Sequence, residues 1–267
     1  LVVIITGASS GIGLATAQAL RERGHTVYGI SRSIVPAADW EQFEADVTDV
    51  AALEHGVEAI FRRHGSIDSL VACAGIGLVS PSDAGGDLGA GRRLFDVNFF
   101  GVAEMVRLCL PRMKQAGRGS IMIISSMAGV FPLPYQAFYS ASKAALCAYG
   151  LALTAEANPF GVQVTTFMPG GVRTPFTGKR QKFEDLFEDP RYPGYASAYL
   201  AISREEQTGM PAEQVVKAVV RVLKQKKPPV FQAVGGKYRL FRCLGRLVPD
   251  RAVAMVLRRK YTARKES

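Results

Sequence analysis

Tyr139 and Lys143 stand four residues apart in YSASK, and the end of SIMIISS delivers Ser125 and Ser126 just ahead of them. If the segment is helical, positions i and i+4 share one face with Cβ atoms about 5–6 Å apart. The Lys143 ammonium could then act on the Tyr139 hydroxyl. A free phenol titrates near pH 10 and exchanges protons poorly at neutrality, but an adjacent cation favours its ionised form. Moving it from about 10 to about 7 corresponds to roughly 4 kcal/mol of differential stabilisation. The chemistry this pair can do is proton transfer. The plain alternative is an amphipathic helix that happens to carry one tyrosine and one lysine, and the spacing alone does not separate the two.

The surrounding elements must decide. Apolar runs of strand length alternate with helical patterns from the first residue, which is the signature of βαβ units and a parallel sheet. LVVIIT, HTVYGIS ending near Ser31, QFEADV, SLVACAG, SIMIISS, VQVTTFMP and PPVFQAV read as strands. Helices are predicted over Ile12–Arg23, Val50–Arg63, Arg93–Lys114, the segment carrying YSASK, and Ala212–Lys226. Helices following buried strands in this order imply right-handed crossovers and an open α/β, Rossmann-type, doubly wound parallel sheet. Ligands of such sheets bind beyond the carboxyl ends of the strands, where Ser125 and Ser126 should meet the start of the Tyr139 helix.

The first strand-to-helix turn reads TGASSGIG, Thr6 to Gly13. Gly7, Gly11 and Gly13 allow a tight turn, a close backbone approach and close helix packing, while the helix N-terminus offers free amides to a pyrophosphate. Ser9, Ser10 and Ile12 complete this phosphate-binding candidate. The spacing is GxxxGxG rather than the commoner GxGxxG. At the end of the second predicted strand, GISRS places Ser31 and Arg32 where an acidic residue would accept bonds from an adenosine ribose. An arginine there can pair with a 2′-phosphate, so NADP(H) is favoured over NAD(H).

With these motifs in order, the chain resembles the short-chain dehydrogenase/reductase family along nearly its whole length up to about Val234. TGASSGIG is similar to that family's cofactor turn, Asp46 and Val47 to its adenine contact, and ACAG, ending in Ala74 and Gly75, to its NNAG, whose first two asparagines are absent here. FDVNFFG supplies Asn98, Ser126 lies thirteen residues before Tyr139, and PGGVRT, with Pro169, Gly170, Val172 and Thr174, is similar to the loop over the nicotinamide. The stretch SSMAGVFPLPYQAFYSASK resembles members acting on steroids, retinoids and sphingoid ketones. The resemblance implies hydride transfer between a nicotinamide and a carbonyl or carbinol carbon. Tyr139 would act as general acid or base, Ser126 would hold the substrate oxygen, Lys143 would lower the tyrosine pKa and bind the nicotinamide ribose, and Asn98 would position a water linking Lys143 to solvent. Spacing alone makes Ser125 an equal candidate for the serine role, and Thr174 could bind the carboxamide or cap its own segment.

Met127 and Leu133, with Val130, Phe131 and Pro134, lie between the serine and the tyrosine, and more apolar residues follow Thr174 in a substrate loop of about residues 175–210. A bulky hydrophobic ketone or alcohol suits such a lining, although core packing would use the same residues. The 267 residues, 48% hydrophobic, fit one catalytic domain over 1–235 with a helical extension over 236–267. Of the net +10, the extension carries +8, from ten Lys or Arg against Asp250 and Glu266. The nearly neutral body disfavours a nucleic-acid binder.

In the extension, Phe241, Leu244 and Val248, then Val253, Val256 and Leu257, recur at helical spacing. Such a basic amphipathic segment could lie on an anionic membrane, or pack over the substrate cleft or a subunit contact. Cys73, Cys109, Cys147 and Cys243 lack ligand or disulfide spacing, no apolar run is long enough to span a bilayer, and the sequence opens directly on the strand-like LVVIIT, so a leader is not expected. The expectation is a cytoplasmic protein without metal, peripherally membrane-associated if the tail binds lipid. His25, His55 and His64 read as solvated surface residues. By the resemblance it would form a homodimer or homotetramer through two long central helices. The alternative to an enzyme is an NADP-sensing Rossmann protein without turnover, which would have no use for a serine, tyrosine and lysine relay.

Overall fold

The computed structural model describes residues 1–83, 88–244 and 248–262, with side chains of Lys237 and of residues 242–244 excepted. The main sheet contains β1 (Val2–Thr6), β2 (Thr26–Ser31), β3 (Glu41–Glu44), β4 (Ser69–Ala72), β6 (Gly119–Ile124), β7 (Val162–Pro169) and β11 (Phe231–Val234), in the order β11-β7-β6-β4-β1-β2-β3. Two-residue strands form separate pairs: β5 (Leu78–Val79) with β9 (Gln181–Lys182), and β8 (Val172–Arg173) with β10 (Met210–Pro211). Every pairing is parallel. The chain winds outward in one direction from β1 to β3 and in the other from β4 to β11, which leaves a crevice at the carboxyl ends of β1 and β4.

Both faces of the sheet are covered, which explains why its strands are continuous apolar runs. All five residues of β1 are buried. Ile4 points into a core shared with Leu53, Met105, Leu146 and Leu153, while its neighbours Val3 and Ile5 point into the opposite core with Leu20, Phe167, Val215 and Val219. Burying each such aliphatic side chain contributes about 1.5–3 kcal/mol. The first core rests on α2 (Val50–His64), α4 (Gly101–Gln115) and α5 (Ala137–Ala157), and the second on α1 (Gly11–Arg21) and α7 (Ala212–Leu223). Asp49 caps α2 by accepting from the Ala52 N–H at 3.0 Å, and Gly65 ends it at φ +67°.

The helix expected over Arg93–Lys114 is composite. α3 (Gly89–Phe95) passes through one π turn, Asp96–Phe100, into α4. The turn places Asn98 fully inside the protein, and such bulges recur at functional sites. α6 (Tyr195–Gln207) follows the substrate loop, and the extension forms α8 (Gly236–Leu244) and α9 (Asp250–Thr262). No helix among the described residues is long and apolar enough to cross a membrane. Cys73, Cys109 and Cys147 form no disulfide, and the Cys243 side chain lies outside the described residues. His64 corrects one expectation: it is half-buried and shares a 2.8 Å hydrogen bond with the Tyr28 hydroxyl, because α2 packs back over β2.

Candidate active site

The glycine turn is built by contacts that admit no side chain. The Gly7 N–H donates to the Ile30 carbonyl at 2.8 Å, and the Thr6 hydroxyl accepts from the N–H groups of Cys73 and Ala74, each at 3.1 Å. A Cβ on Gly7, whose φ is +71°, would lie 2.9 Å from the Ala74 Cα. Gly11 begins α1 at φ +56°, and its missing Cβ would sit 3.3 Å from the Thr174 Cβ. The turn, the ACAG segment and the PGGVRT loop therefore close on one another and expose backbone.

A cavity of about 1040 Å³ runs from this turn past the carboxyl ends of β1, β4, β6 and β7 to the C-terminal helices. The turn contributes Gly7, Ser9, Ser10, Gly11 and Ile12 to its wall; Arg32, Asp46, Val47, Ala74 and Gly75 follow along the strand ends. Ser126, Met127, Leu133, Tyr139 and Lys143 line the middle, under Pro169, Gly170, Val172 and Thr174. Two residues expected at the site do not line the cavity. Gly13 packs helix against turn, since a Cβ there would fall 2.2 Å from the Gly7 carbonyl oxygen. Asn98 is enclosed: its Oδ1 accepts from the Ile76 N–H at 2.8 Å, and its Nδ2 donates to the Ile76 carbonyl at 3.0 Å and to the Ser142 hydroxyl at 3.3 Å. The amide thus braces the segment after β4 behind Gly75.

The two serines separate by their hydrogen-bond partners. Ser125 also lines the cavity, but its hydroxyl is committed to the protein, donating to the Lys143 carbonyl at 2.7 Å. Ser126 caps a 3₁₀ turn, its oxygen accepting from the Ala128 N–H at 3.1 Å, and its hydroxyl acts on the Tyr139 oxygen. Lys143 is buried; its ammonium donates to the Ile124 carbonyl at 3.1 Å and lies 5.7 Å from the centre of the Tyr139 ring. Phe176 also packs against that ring, centroids 6.0 Å apart.

The electrostatics correct the expected direction. Burial pushes the Tyr139 phenol up to about 12, with the Glu206 carboxylate adding to the rise and the Ser126 hydroxyl and Arg180 opposing it. Lys143 does not lower the phenol here. Its own burial drives it down to about 8, against small upward effects of Cys73 and Cys147. Desolvation exceeds pairing because both groups leave water together in a narrow cleft. At neutral pH the phenol holds its proton.

At the strand-two end, Arg32 is exposed and makes no ion pair among the described residues. Asp46 is already engaged, accepting from the Thr48 N–H at 3.0 Å and from Arg93 at 2.7 Å. The Thr174 hydroxyl accepts weakly from the Phe176 N–H at 3.4 Å, so capping and cavity lining coexist.

The motifs do not reach the other end of the cavity. Tyr238 of α8 lies against Gly170, where a Cβ would be 1.9 Å from its ring, and its hydroxyl accepts from the Gly171 N–H at 3.2 Å. α9 crosses α6, with Tyr261 donating to Glu205 Oε2 at 2.6 Å and Lys260 reaching the same oxygen at 2.9 Å. Val248, Val253, Val256 and Leu257 line the cavity from above. The apolar stripe of the tail was the available signal, and here it roofs the cleft; the side chain of Leu244 lies outside the described residues. No His, Cys, Asp and Glu cluster that could hold a metal occurs among the described residues.

Known proteins share this fold. The family model for short chain dehydrogenase matches residues 1–185. A 3-ketodihydrosphingosine reductase of Bacteroides thetaiotaomicron is 35% identical, over 98% of this chain and 98% of its own. A crystal structure of a short-chain dehydrogenase from Streptomyces avermitilis superposes with a TM-score of 0.83 at 30% identity, covering 97% of this chain and 95% of that one. A Burkholderia cenocepacia short chain dehydrogenase crystallised with NADP gives 0.75 at 25% identity, covering 96% of both chains. Sequence and fold agree, and the chain belongs to the short chain dehydrogenase family.

Proposed function

We propose that the protein is an NADP(H)-dependent oxidoreductase that interconverts a hydrophobic ketone and its secondary alcohol. The observation that carries this reading is the convergence of Tyr139, Ser126 and Lys143 on one cavity whose far end is the glycine turn. A dinucleotide fits that turn, because Gly7 and Gly11 leave room for phosphate at the α1 N-terminus. Gly7, Ser9, Ser10, Gly11 and Ile12 would hold its phosphates, Arg32, Asp46 and Val47 its adenosine end, Ala74 and Gly75 its middle, and Pro169, Gly170, Val172 and Thr174 the nicotinamide, with Lys143 on the adjoining ribose. When bound, that group donates or accepts the hydride. Tyr139, protonated at neutral pH, gives its proton to the forming alkoxide during reduction and takes it back during oxidation. Ser126 fixes the carbonyl oxygen and stabilises its developing charge. Lys143 supplies positive charge behind the phenol. Since the Asn98 amide is engaged with Ile76, any water it positions for Lys143 would have to use its main-chain carbonyl.

Met127, Phe131 and Leu133 with the helical roof give the substrate end an apolar wall, suited to a steroid-, retinoid- or lipid-like ketone. The 3-ketodihydrosphingosine reductase activity named for the Bacteroides relative agrees with this. A panel of hydrophobic and sugar ketones followed by NADPH absorbance, with Tyr139→Phe as control, tests the reading. A preference for sugars over lipid-sized ketones contradicts it.

For the cofactor, Arg32→Asp is expected to raise the KM for NADPH about 10- to 100-fold by replacing a charge-assisted contact with repulsion, and to change NADH much less. Equal losses for both would remove Arg32 from the 2′-phosphate role. Two contacts with other bodies belong to the same proposal. Exposed Phe100 and Leu151, on the face carrying α4 and α5, support a homodimer or homotetramer. The roof also keeps Leu240 and Met255 exposed near Arg239, Arg251 and Arg258, a basic amphipathic outer side that would bring lipid-like substrates to the cleft. Vesicles containing anionic lipid should float the full chain and leave a chain ending at Gly235 behind; equal flotation excludes this peripheral role.

A further inference from the structure

The PGGVRT loop is held from two sides, and one of them is the C-terminal extension. On the first side, the end of α6 and the strand after it leave no room for a side chain. A Cβ on Gly171 would lie 2.5 Å from the Glu205 carbonyl oxygen, and the Gly171 carbonyl accepts from the Met210 N–H at 3.0 Å. On the second side stands Tyr238 of α8. Its buried ring occupies the place of a Gly170 side chain, and its hydroxyl accepts from the Gly171 N–H at 3.2 Å.

The same hydroxyl faces Glu205. It donates over a long 3.5 Å to Oε1, while Tyr261 and Lys260 of α9 donate to Oε2 at 2.6 and 2.9 Å. One carboxylate thus joins α9 to Tyr238, and Tyr238 joins it to the loop backbone. A hydroxyl whose hydrogen is drawn toward an anion is a better acceptor, so a seated α9 strengthens the bond from the Gly171 N–H. Without Tyr238 that half-buried amide would lose this partner, which an enclosed N–H needs. Gly170 and Gly171 line the cavity, as do Glu205, Tyr238, Lys260 and Tyr261. The chain of bonds therefore runs along the wall between the helical roof and the loop assigned to the nicotinamide.

Resting on that assignment, we propose that Tyr238 is a positioning residue for the cofactor: through Glu205 it couples the seating of α9 to the backbone over the nicotinamide, so that the extension completes the cofactor site. Coupling of this kind is reciprocal. NADPH should steady α9 by the same factor by which a seated α9 tightens NADPH.

Two measurements without turnover test this. One is NADPH affinity, read from the cofactor's fluorescence. The other is the rate of trypsin cleavage after Arg258, an exposed residue inside α9 that the protease reaches when the helix opens. In the wild-type protein, saturating NADPH should slow this cleavage about 3- to 10-fold, the range of one neutral hydrogen bond. Tyr238→Phe keeps the ring on Gly170 and should weaken NADPH binding about 3- to 10-fold. It should also bring the ratio of cleavage rates with and without NADPH close to one, whereas a purely structural tyrosine would speed both rates alike. Tyr261→Phe, which removes a donor to Glu205 at the far end of the chain of bonds, should act in the same direction and serves if the first variant folds poorly. Wild-type cleavage that ignores bound NADPH, or either folded variant binding NADPH as tightly as wild type, overturns the coupling and leaves the reductase reading standing. Failure of the wild-type protein to bind NADPH or NADH overturns the reading beneath it, and the coupling with it.

Discussion

Tyr139→Phe is expected to lower NADPH-dependent ketone reduction by about 10²- to 10⁴-fold, the range ascribed to a positioned general acid. The substitution removes one oxygen and keeps the ring that packs against Phe176, so the melting temperature should move little. The loss should fall on kcat. Burial holds the phenol up to about 12, which makes it a proton donor throughout the neutral range and favours the reductive direction. Stopped-flow measurement of the first turnover would separate chemistry from product release. A variant whose rate stays close to that of wild type would show that another group, or water, carries the proton.

Lys143→Met is expected to have two opposite effects. Activity should fall by about 10²- to 10³-fold as the charge behind the phenol and the ribose contact are lost together. Measured without cofactor, the protein should nevertheless become more stable. Lys143 titrates near 8 in the folded chain against 10.5 when unperturbed, so folding at neutral pH buries an ammonium at a penalty of about 3 kcal/mol. The methionine side chain escapes that penalty but leaves the Ile124 carbonyl without its donor, which costs about 1–2 kcal/mol. The net gain of about 1–2 kcal/mol corresponds to a rise in melting temperature of roughly 2 to 6 °C for a chain of this size. The unfolded lysine holds its proton more tightly than the folded one, so wild-type stability climbs as pH rises from about 8 to about 10.5. The advantage of the variant is therefore complete below pH 8 and gone above about 10.5. Unfolding at the two ends of this range, pH 7 and about pH 10.5, checks the sign. A variant less stable at pH 7 would mean that the lysine is held by more than its burial suggests. The same titration predicts that wild-type reduction declines above about pH 8, where the ammonium loses its charge.

The cavity explains why these two residues can be both costly and useful. A lysine placed in a core is normally a liability, and here its ammonium end is enclosed by the end of β6 and the ACAG segment that Asn98 braces, with Gly75 so close that a Cβ would lie 3.6 Å from its nitrogen. Stability is given up locally where the chemistry needs a poised charge.

Much of this was legible in the chain itself. Buried strands such as VVIIT and SIMIIS announced a sheet covered on both faces, TGASSGIG announced a tight turn opening a helix, and YSASK set a tyrosine and a lysine on one helical face. These are local facts: apolar periodicity records which face is dry, and glycine records where no side chain fits. What an apolar stripe covers is not local. The tail residues Val253 and Leu257 would look the same against lipid, a second subunit or the cleft, and only folding set them over the cleft. What distinguishes Ser126 from Ser125 is the partner each hydroxyl engages just beyond β6, which spacing along the chain does not carry. The direction of the Tyr139 shift was beyond the four-residue spacing, because it depends on depth in the cleft and on Glu206, a residue brought near by α6. Residue order was thus enough to specify the parallel sheet and the glycine turn. Which side chains face the cavity, what roofs it and how their protons are held emerged with long-range packing. Secondary structure answers to neighbours along the chain, whereas desolvation and charge answer to neighbours in space.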